Sequence, residues 1–417
     1  MDQTRAIRHN LRALLDQALT AAEPGALVRE SLSAAPISAQ RTRLLAIGKA
    51  ARAMAQAALT ELAAQGQHVA EALVITNAGN DAPLKGARVR VAGHPLPDAG
   101  GLIAAREAEA IARRADTGEV LLVLISGGGS AMLPAPVPGI SLQDKVQATR
   151  IALEGGLDIT QINALRQHLS RLKGGGLAGK AAPAHVVALI LSDVIGDDLR
   201  VVASGPTLAP IMARQEVARM LRAHRLWDGM PAPVRDLLMR PAPRAAVARA
   251  AENRLIGSNA LMLERLAAQG GAVIWSRALT GDVGQAARFL AEHMRAAQPG
   301  PVLAICGGET TVRLRGAGQG GRNQELALRV AATLHDHPIA RPWAVLSAGS
   351  DGRDGPTDAA GGLVDAGTLT RIEQAGGNWR ALLAENDSHR ALALAGDLVI
   401  TGPTGTNLAD IQLIALA

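Results

Sequence analysis

The chain is poor in aromatic residues: among 417 residues there is no Tyr, one Phe (Phe289) and four Trp. A core built on aromatic anchors is therefore excluded, and the interior must be assembled from Ala, Val, Leu and Ile. The same scarcity argues against nucleic-acid binding, which needs stacking side chains beside its basic groups. The net charge of +6 and the pI near 10.3 come from Arg, which far outnumbers Lys and is scattered rather than blocked. A mildly basic surface remains compatible with a small anionic substrate. A single cysteine, Cys306, excludes an intramolecular disulfide and any cysteine-based zinc site, which suits a reducing cytoplasm. Long apolar runs are also missing, since Val120–Ile125 and Val186–Leu191 are far too short to span a bilayer. The N-terminal stretch MDQTRAIRHNLRALL carries charges throughout and lacks a signal-type apolar segment. A soluble cytoplasmic protein with no membrane or nucleic-acid partner is the expectation.

What is present is an α/β pattern. Apolar strands are expected near Leu44–Ile47, Ala72–Thr76, Val89–Ala92, Val120–Ile125 and Val186–Leu191. Helical periodicity lies between them, with Ile159–Leu172 as one such helix, which indicates a parallel sheet covered on both faces. The length predicts two domains. A proline-rich stretch at 230–245 reads as a linker, dividing 1–229 from 246–417.

Ligands of parallel sheets bind beyond the carboxyl ends of the strands. Three suggestive turns sit at such ends. Gly48-Lys49 resembles a phosphate-binding lysine turn, although Arg43 and Ala50 break the Walker pattern. A cation at a helix start opposes the helix dipole, so Lys49 is not there for stability. Ser126-Gly127-Gly128-Gly129-Ser130 is a candidate phosphate cradle, and Met132 rules out the hydrolase elbow. Asp193, in the turn after Val186–Leu191, is a candidate Mg²⁺ ligand or general base; Asp197 and Asp198 read as caps. His94, beside a proline-locked turn, reads as structural.

In the second half, CGGETTVRLRGAGQGGRNQELA, from Cys306 to Ala327, holds glycine turns that end at a helix start near Arg322 and Asn323. Four glycines between Gly316 and Gly321 allow φ > 0 and an anion nest of backbone N–H groups. The spacing also satisfies G-x-G-x-x-G, a dinucleotide fingerprint, but the strand before it is polar and its acidic partner would be Asp336. The loop SAGSDGRDGPTDAAGG offers Asp351 as a second Mg²⁺ ligand.

Taken in order, AIGKAA, AGHPLPD, ISGGGSAM, INALRQHLSRLKGGGLA, LSDVIGDDLRVVASGPT, CGGETTVRLRGAGQGGRNQELAL, SAGSDGRDGPTDAAGG and TGPTGTNLADIQL resemble the glycerate 2-kinases of the MOFRL family. The resemblance covers nearly the whole chain. Members are also labelled hydroxypyruvate reductases through an association with tartrate utilisation. It implies a larger N-terminal Rossmann-like domain with a mostly parallel sheet, a smaller C-terminal α/β domain, and an active site in the interdomain cleft. It implies ATP- and Mg²⁺-dependent phosphorylation of D-glycerate at its 2-hydroxyl, with Lys49 and Arg322 essential. Gln167 and Gly176 depart from the family pattern, which usually has Lys and a larger polar residue there.

Phosphoryl transfer needs positioning, Mg²⁺ and positive charge more than covalent help. The residues therefore sort into a catalytic set of Lys49, Arg322 and Asp193 and a metal pair of Asp193 and Asp351. Gly127, Gly128, Gly129, Ser130, Lys173, Glu309, Gly318, Gly320, Gly321 and Asn323 form the substrate- and phosphate-binding set. The rival activity is a hydroxypyruvate reductase using NAD(P)H.

Overall fold

The computed structural model describes residues 3–241 and 251–417, which divide into two compact units. One runs from Pro24 to Ile256; the other combines Met1–Glu23 with Gly257–Ala417.

The first unit is organised on a six-stranded sheet. Its strands are β1 (Arg41–Ile47), β2 (Val69–Thr76), β3 (Arg88–Val91), β4 (Glu119–Ile125), β5 (His185–Leu191) and β6 (Glu252–Gly257), in the order β3-β2-β1-β4-β5-β6. Pairing is parallel from β3 through β5. The chain turns outward in opposite directions from β1 and β4, so the crevice above their carboxyl ends is the switch point at which such sheets take ligands.

Alternate strand residues feed two separate cores. Leu45, Ile47, Leu121, Val123 and Ile125 pack with Ala104, Ala108 and Ile111 of the helix Ala99–Arg113 on one face. Leu44, Ala46, Leu122 and Leu124 pack with Leu27, Met54 and Leu62 on the other. Burial on both faces explains why these strands read as unbroken apolar runs. Each such buried aliphatic side chain contributes about 1.5–3 kcal/mol. Helices Leu142–Glu154, Ile159–His168, Arg214–Ala223 and Ala232–Met239 enclose a further core around Ile162, Leu165, Leu221 and Leu238.

The second unit carries β7 (Val273–Asp282), β8 (Val302–Thr311), β9 (Trp343–Gly349), β10 (Gly361–Asp365), β11 (Leu398–Val399) and β12 (Asp410–Leu416), in the order β11-β10-β9-β12-β8-β7. Only β7 and β8 pair in parallel; the other neighbours are antiparallel, so this sheet is mixed. β10 is not expected from the sequence: its first two residues, Gly361 and Gly362, end the stretch read as an acidic loop, and only Leu363 and Val364 give it strand character.

The units divide elsewhere than the proline-rich stretch suggests. Residues 232–239 form a helix whose Val234 and Leu238 are buried in the first unit, and β6 extends that unit to Ile256. Of the 230–245 stretch, 242–245 lie outside the described residues, as do 246–250 at the expected start of the second domain. The N-terminal helix Gln3–Ala21 belongs to the second unit, where Leu11 and Leu15 join the core of Leu346 and Leu413. Arg8 Nη2 also pairs there with the buried Asp397 at 2.8 Å. Among the described residues, no helix is long and apolar enough to cross a membrane.

Candidate functional site

In the first unit, the turns after β1, β4 and β5 assemble Lys49, Ser126–Ser130 and Asp193. Gly48 has φ 123°, and a Cβ there would lie 2.3 Å from Ser126 Oγ, so only glycine lets the two turns meet. They are tied by Lys49 N donating to Gly127 O at 3.0 Å and Ala50 N donating to Ser126 Oγ at 3.1 Å. This fastening fixes the backbone at Lys49, whose side chain makes no hydrogen bond among the described residues.

Asp193 stands directly against Gly127, where a Cβ would come within 2.1 Å of its Oδ2. Burial raises its carboxyl pKa, against the opposing pull of Lys49. The carboxylate accepts a hydrogen bond from its own backbone N–H, which also opposes the effect of burial. A mostly buried carboxylate beside a lysine is suited to take a proton or a hard cation. His94 abuts Gly128, and burial, then Lys49, lowers its pKa.

Behind the turn, Ser130 Oγ lies 2.7 Å from Ser204 Oγ, which in turn donates to Asn163 Oδ1 at 2.7 Å. Lys173 Nζ donates to Ser130 O at 2.7 Å, Ser130 Oγ at 3.3 Å and Ala203 O at 3.5 Å. Its three protons are thus engaged by the protein, and the ammonium supports the glycine turn from behind. The helix expected to reach Leu172 ends at His168 with Leu169 as its C-cap, and the left-handed Gly174 and Gly175 turn the chain further on. Asp198 pairs with Arg200 at 2.8 Å and accepts its backbone N–H at 3.0 Å, a local brace rather than a site residue.

The second unit gathers a different cluster. Arg322 opens the helix Arg322–Asp336. Its Nε and Nη2 donate to Asp410 Oδ2 and Oδ1 at 2.6 and 3.0 Å, while Nη1 lies 3.0 Å from Glu309 Oε1. Asp410 is fully buried and Arg322 is 36% exposed, so one edge of the guanidinium is locked and the rest reaches outward. Burial raises the Asp410 carboxyl pKa and Arg322 pulls against it.

The helix start is capped from a distance. The Asp354 carboxylate accepts N–H bonds from Asn323 at 3.1 Å and Gln324 at 2.8 Å. Burial pushes its pKa up to about 6 despite those bonds. Asn323 is itself buried, with its Oδ1 accepting from Ser347 Oγ at 2.6 Å. It anchors the helix rather than projecting outward.

The glycine run before this helix differs from expectation. None of Gly316, Gly318, Gly320 and Gly321 has positive φ. The backbone N–H groups of Arg315, Gly316, Gly318 and Gln319 donate inward, to Asn386 Oδ1, Asn386 Oδ1, Glu385 O and Asp387 Oδ1. These glycines are required for close packing instead. A Cβ at Gly318 would fall 2.5 Å from Asp387 Cβ, and one at Gly321 would fall 2.2 Å from Asp354 Cγ. The nest expected at Gly316–Gly321 is therefore spent on the protein's own acceptors. The dinucleotide fingerprint also fails, because residues 312–321 intervene as loop between β8 and the helix.

Asp351 lies in the loop after β9 and accepts the Arg353 N–H at 3.0 Å. No group of three or more His, Cys, Asp or Glu among the described residues could hold a metal by itself. Asp354 and Asp410 were not singled out as site residues. A lone Asp at the head of the apolar run DIQLIAL was the available signal for Asp410, since a buried carboxylate there demands a partner.

Residues 10–239 match a domain of unknown function, DUF4147, and residues 302–410 match the MOFRL family. A glycerate 2-kinase of Pyrococcus horikoshii is 37% identical over 89% of this chain and 86% of its own. A D-glycerate 2-kinase of Thermotoga maritima is 35% identical over 95% of each chain. The glycerate kinase of Bos taurus is 35% identical over all of this chain and 94% of its own. The crystal structure of a Thermotoga maritima glycerate kinase superposes with a TM-score of 0.90 at 34% identity, covering 99% of this chain and 100% of that one. With both sequence domains, the full-length relatives and the three-dimensional match in agreement, this chain belongs to the MOFRL family of glycerate 2-kinases.

Proposed function

We propose that the protein is an ATP- and Mg²⁺-dependent kinase that phosphorylates D-glycerate at its 2-hydroxyl to give 2-phosphoglycerate. The observation that carries this reading is the placing of Lys49, whose side chain makes no hydrogen bond among the described residues, near the mostly buried Asp193 above the switch point of a parallel sheet. Kinase relatives of full length support it.

In the reaction the bond between the γ-phosphorus and the β–γ bridging oxygen breaks. A new bond joins that phosphorus to the glycerate 2-oxygen, ADP departs, and the hydroxyl proton passes to Asp193. Burial raises its pKa above the ordinary Asp value, which makes it a better proton acceptor than an exposed carboxylate. Lys49 and Arg322 neutralise charge on the transferred group, Arg322 being held by Asp410 at one edge and paired with the half-exposed Glu309 at Nη1. Mg²⁺, when bound, would supply positive charge that offsets that of the phosphates. With Asp193 taking the proton, the nucleotide and Asp351 would hold it; with another base, Asp193 would.

Incubation with D-glycerate, ATP and Mg²⁺ should release ADP, and phosphorus NMR should place the new phosphate on the 2-oxygen. Oxidation of NADH by hydroxypyruvate without ADP release in the first mixture would replace this reading with a reductase.

A further inference from the structure

Lys145 of helix Leu142–Glu154, Arg166 of helix Ile159–His168 and Lys173 beyond that helix are three cations without a counter-ion among the described residues. Lys145 and Lys173 are 6% and 4% exposed, and no carboxylate pairs with them or with Arg166 among the described residues. Lys145 Nζ donates to Leu169 O at 3.3 Å, the carbonyl that follows the second helix. Lys173 is four residues further on, bonded to Ser130 and Ala203. Ser130 leads through Ser204 to Asn163, which shares a helix face with Arg166 three residues later. Lys145, Arg166 and Lys173 thus converge beside the turn that follows β4.

The cluster is unfavourable as it stands. Burial, then Arg166, pushes the Lys145 ammonium down to about 7. Burial, with Lys145 and Arg166, holds Lys173 well below the usual lysine range. Unpaired buried cations cost stability, and well-packed apolar replacements are often neutral or better. Donor counting then separates the three. Lys173 spends all its protons on protein oxygens, Lys145 has one hydrogen bond, and the Arg166 guanidinium has none among the described residues.

We propose that Lys145 and Arg166 form an oxyanion subsite, with Lys173 and Ser130 as its supporting wall, that takes carboxylate or phosphoryl oxygens. An oxyanion would supply the missing negative charge and accept the open donors in charge-assisted hydrogen bonds. Naming D-glycerate as the source of that oxyanion rests on the kinase reading above.

The test uses the full-length protein and the variants Lys145→Met and Arg166→Gln. Calorimetry measures binding of D-glycerate and, separately, of ATP. Urea denaturation with and without inorganic sulfate measures oxyanion protection independently of turnover. Each variant should weaken one of the two physiological ligands by roughly tenfold, about one charge-assisted hydrogen bond, and lose sulfate protection. A loss confined to D-glycerate identifies its carboxylate as the occupant, and a loss confined to ATP identifies a phosphate. The unliganded variants should be as stable as the parent or more so. If Lys145 merely capped the helix ending at His168, Lys145→Met would instead lower stability and leave every affinity unchanged. Affinities for D-glycerate, ATP and sulfate all within about twofold of the parent would overturn the subsite. Failure of the kinase reading would appear separately, as absence of ADP from the parent protein while sulfate protection persisted.

Discussion

Asp410 grips the Arg322 guanidinium by one edge, at 2.6 Å to Nε and 3.0 Å to Nη2, across 88 residues of sequence. The carboxylate has no solvent exposure, whereas the arginine is 36% exposed, so the pair is asymmetric. Removing the arginine strands a buried carboxylate; shortening it to lysine leaves a charge but no fork.

Arg322→Ala should therefore lose both turnover and stability, the latter by roughly 3 kcal/mol, the low end for a broken buried pair because the arginine is partly solvated. Arg322→Lys should fold with a smaller loss and still turn over about 10²-fold more slowly. Steady-state kinetics beside urea denaturation separate the two effects. Near-parental turnover in Arg322→Ala would remove this residue from the proposed machinery.

Lys49 presents the opposite balance, since its side chain has no hydrogen bond to lose. Lys49→Met should lower turnover by ~10²–10³ while leaving the urea midpoint unchanged. Loss of folding in parallel with activity would mean that the lysine is structural.

The glycines before Arg322 give a packing prediction. Gly321→Ala forces a methyl against Asp354, and Gly318→Ala forces one against Asp387. Each should destabilise the fold by about 1–3 kcal/mol, while the folded protein keeps parental ATP affinity. A selective loss of ATP binding with unaltered stability would restore the anion-nest reading of this loop.

Lys145 makes stability depend on pH in a defined direction. Its folded pKa, about 7, lies below the ordinary lysine value of 10.5. Between these values the unfolded chain holds more protons than the native one, so this lysine's contribution to stability rises with pH across about 7 to 10.5. The advantage of Lys145→Met over the parent should accordingly be greatest below pH 7 and shrink toward pH 10. Denaturant titrations at pH 6.5, 8 and 9.5 check this; a pH-independent difference would show that the ammonium is not buried as a cation.

Much of the first sheet was legible because burial on both faces leaves its signature in local order. Leu44–Ile47, Val120–Ile125 and Val186–Leu191 are apolar throughout, and turns fit for ligands follow each of them. Lys49 could be singled out because a cation at that helix start has no stabilising purpose, and Asp193 because it lies in the turn after a buried strand. The second sheet was less legible. β10 has only two large apolar residues and bears no clear period, and of the mostly exposed β7 only the start, within Ala272–Trp275, reads as a strand.

The sequence by itself determined the α/β class, the strand-end turns and, through its motifs, the family. Tertiary structure alone decided that Asp354 caps the helix of Arg322 and that Asp410 holds that arginine's inner edge. It also decided that the glycines of 316–321 serve packing, that the first helix joins the C-terminal unit, and that Lys145, Arg166 and Lys173 meet. The reason is physical: periodicity records which residues leave water, whereas ion-pair partners, clashes of absent Cβ atoms and uncompensated charge depend on groups brought together from distant parts of the chain.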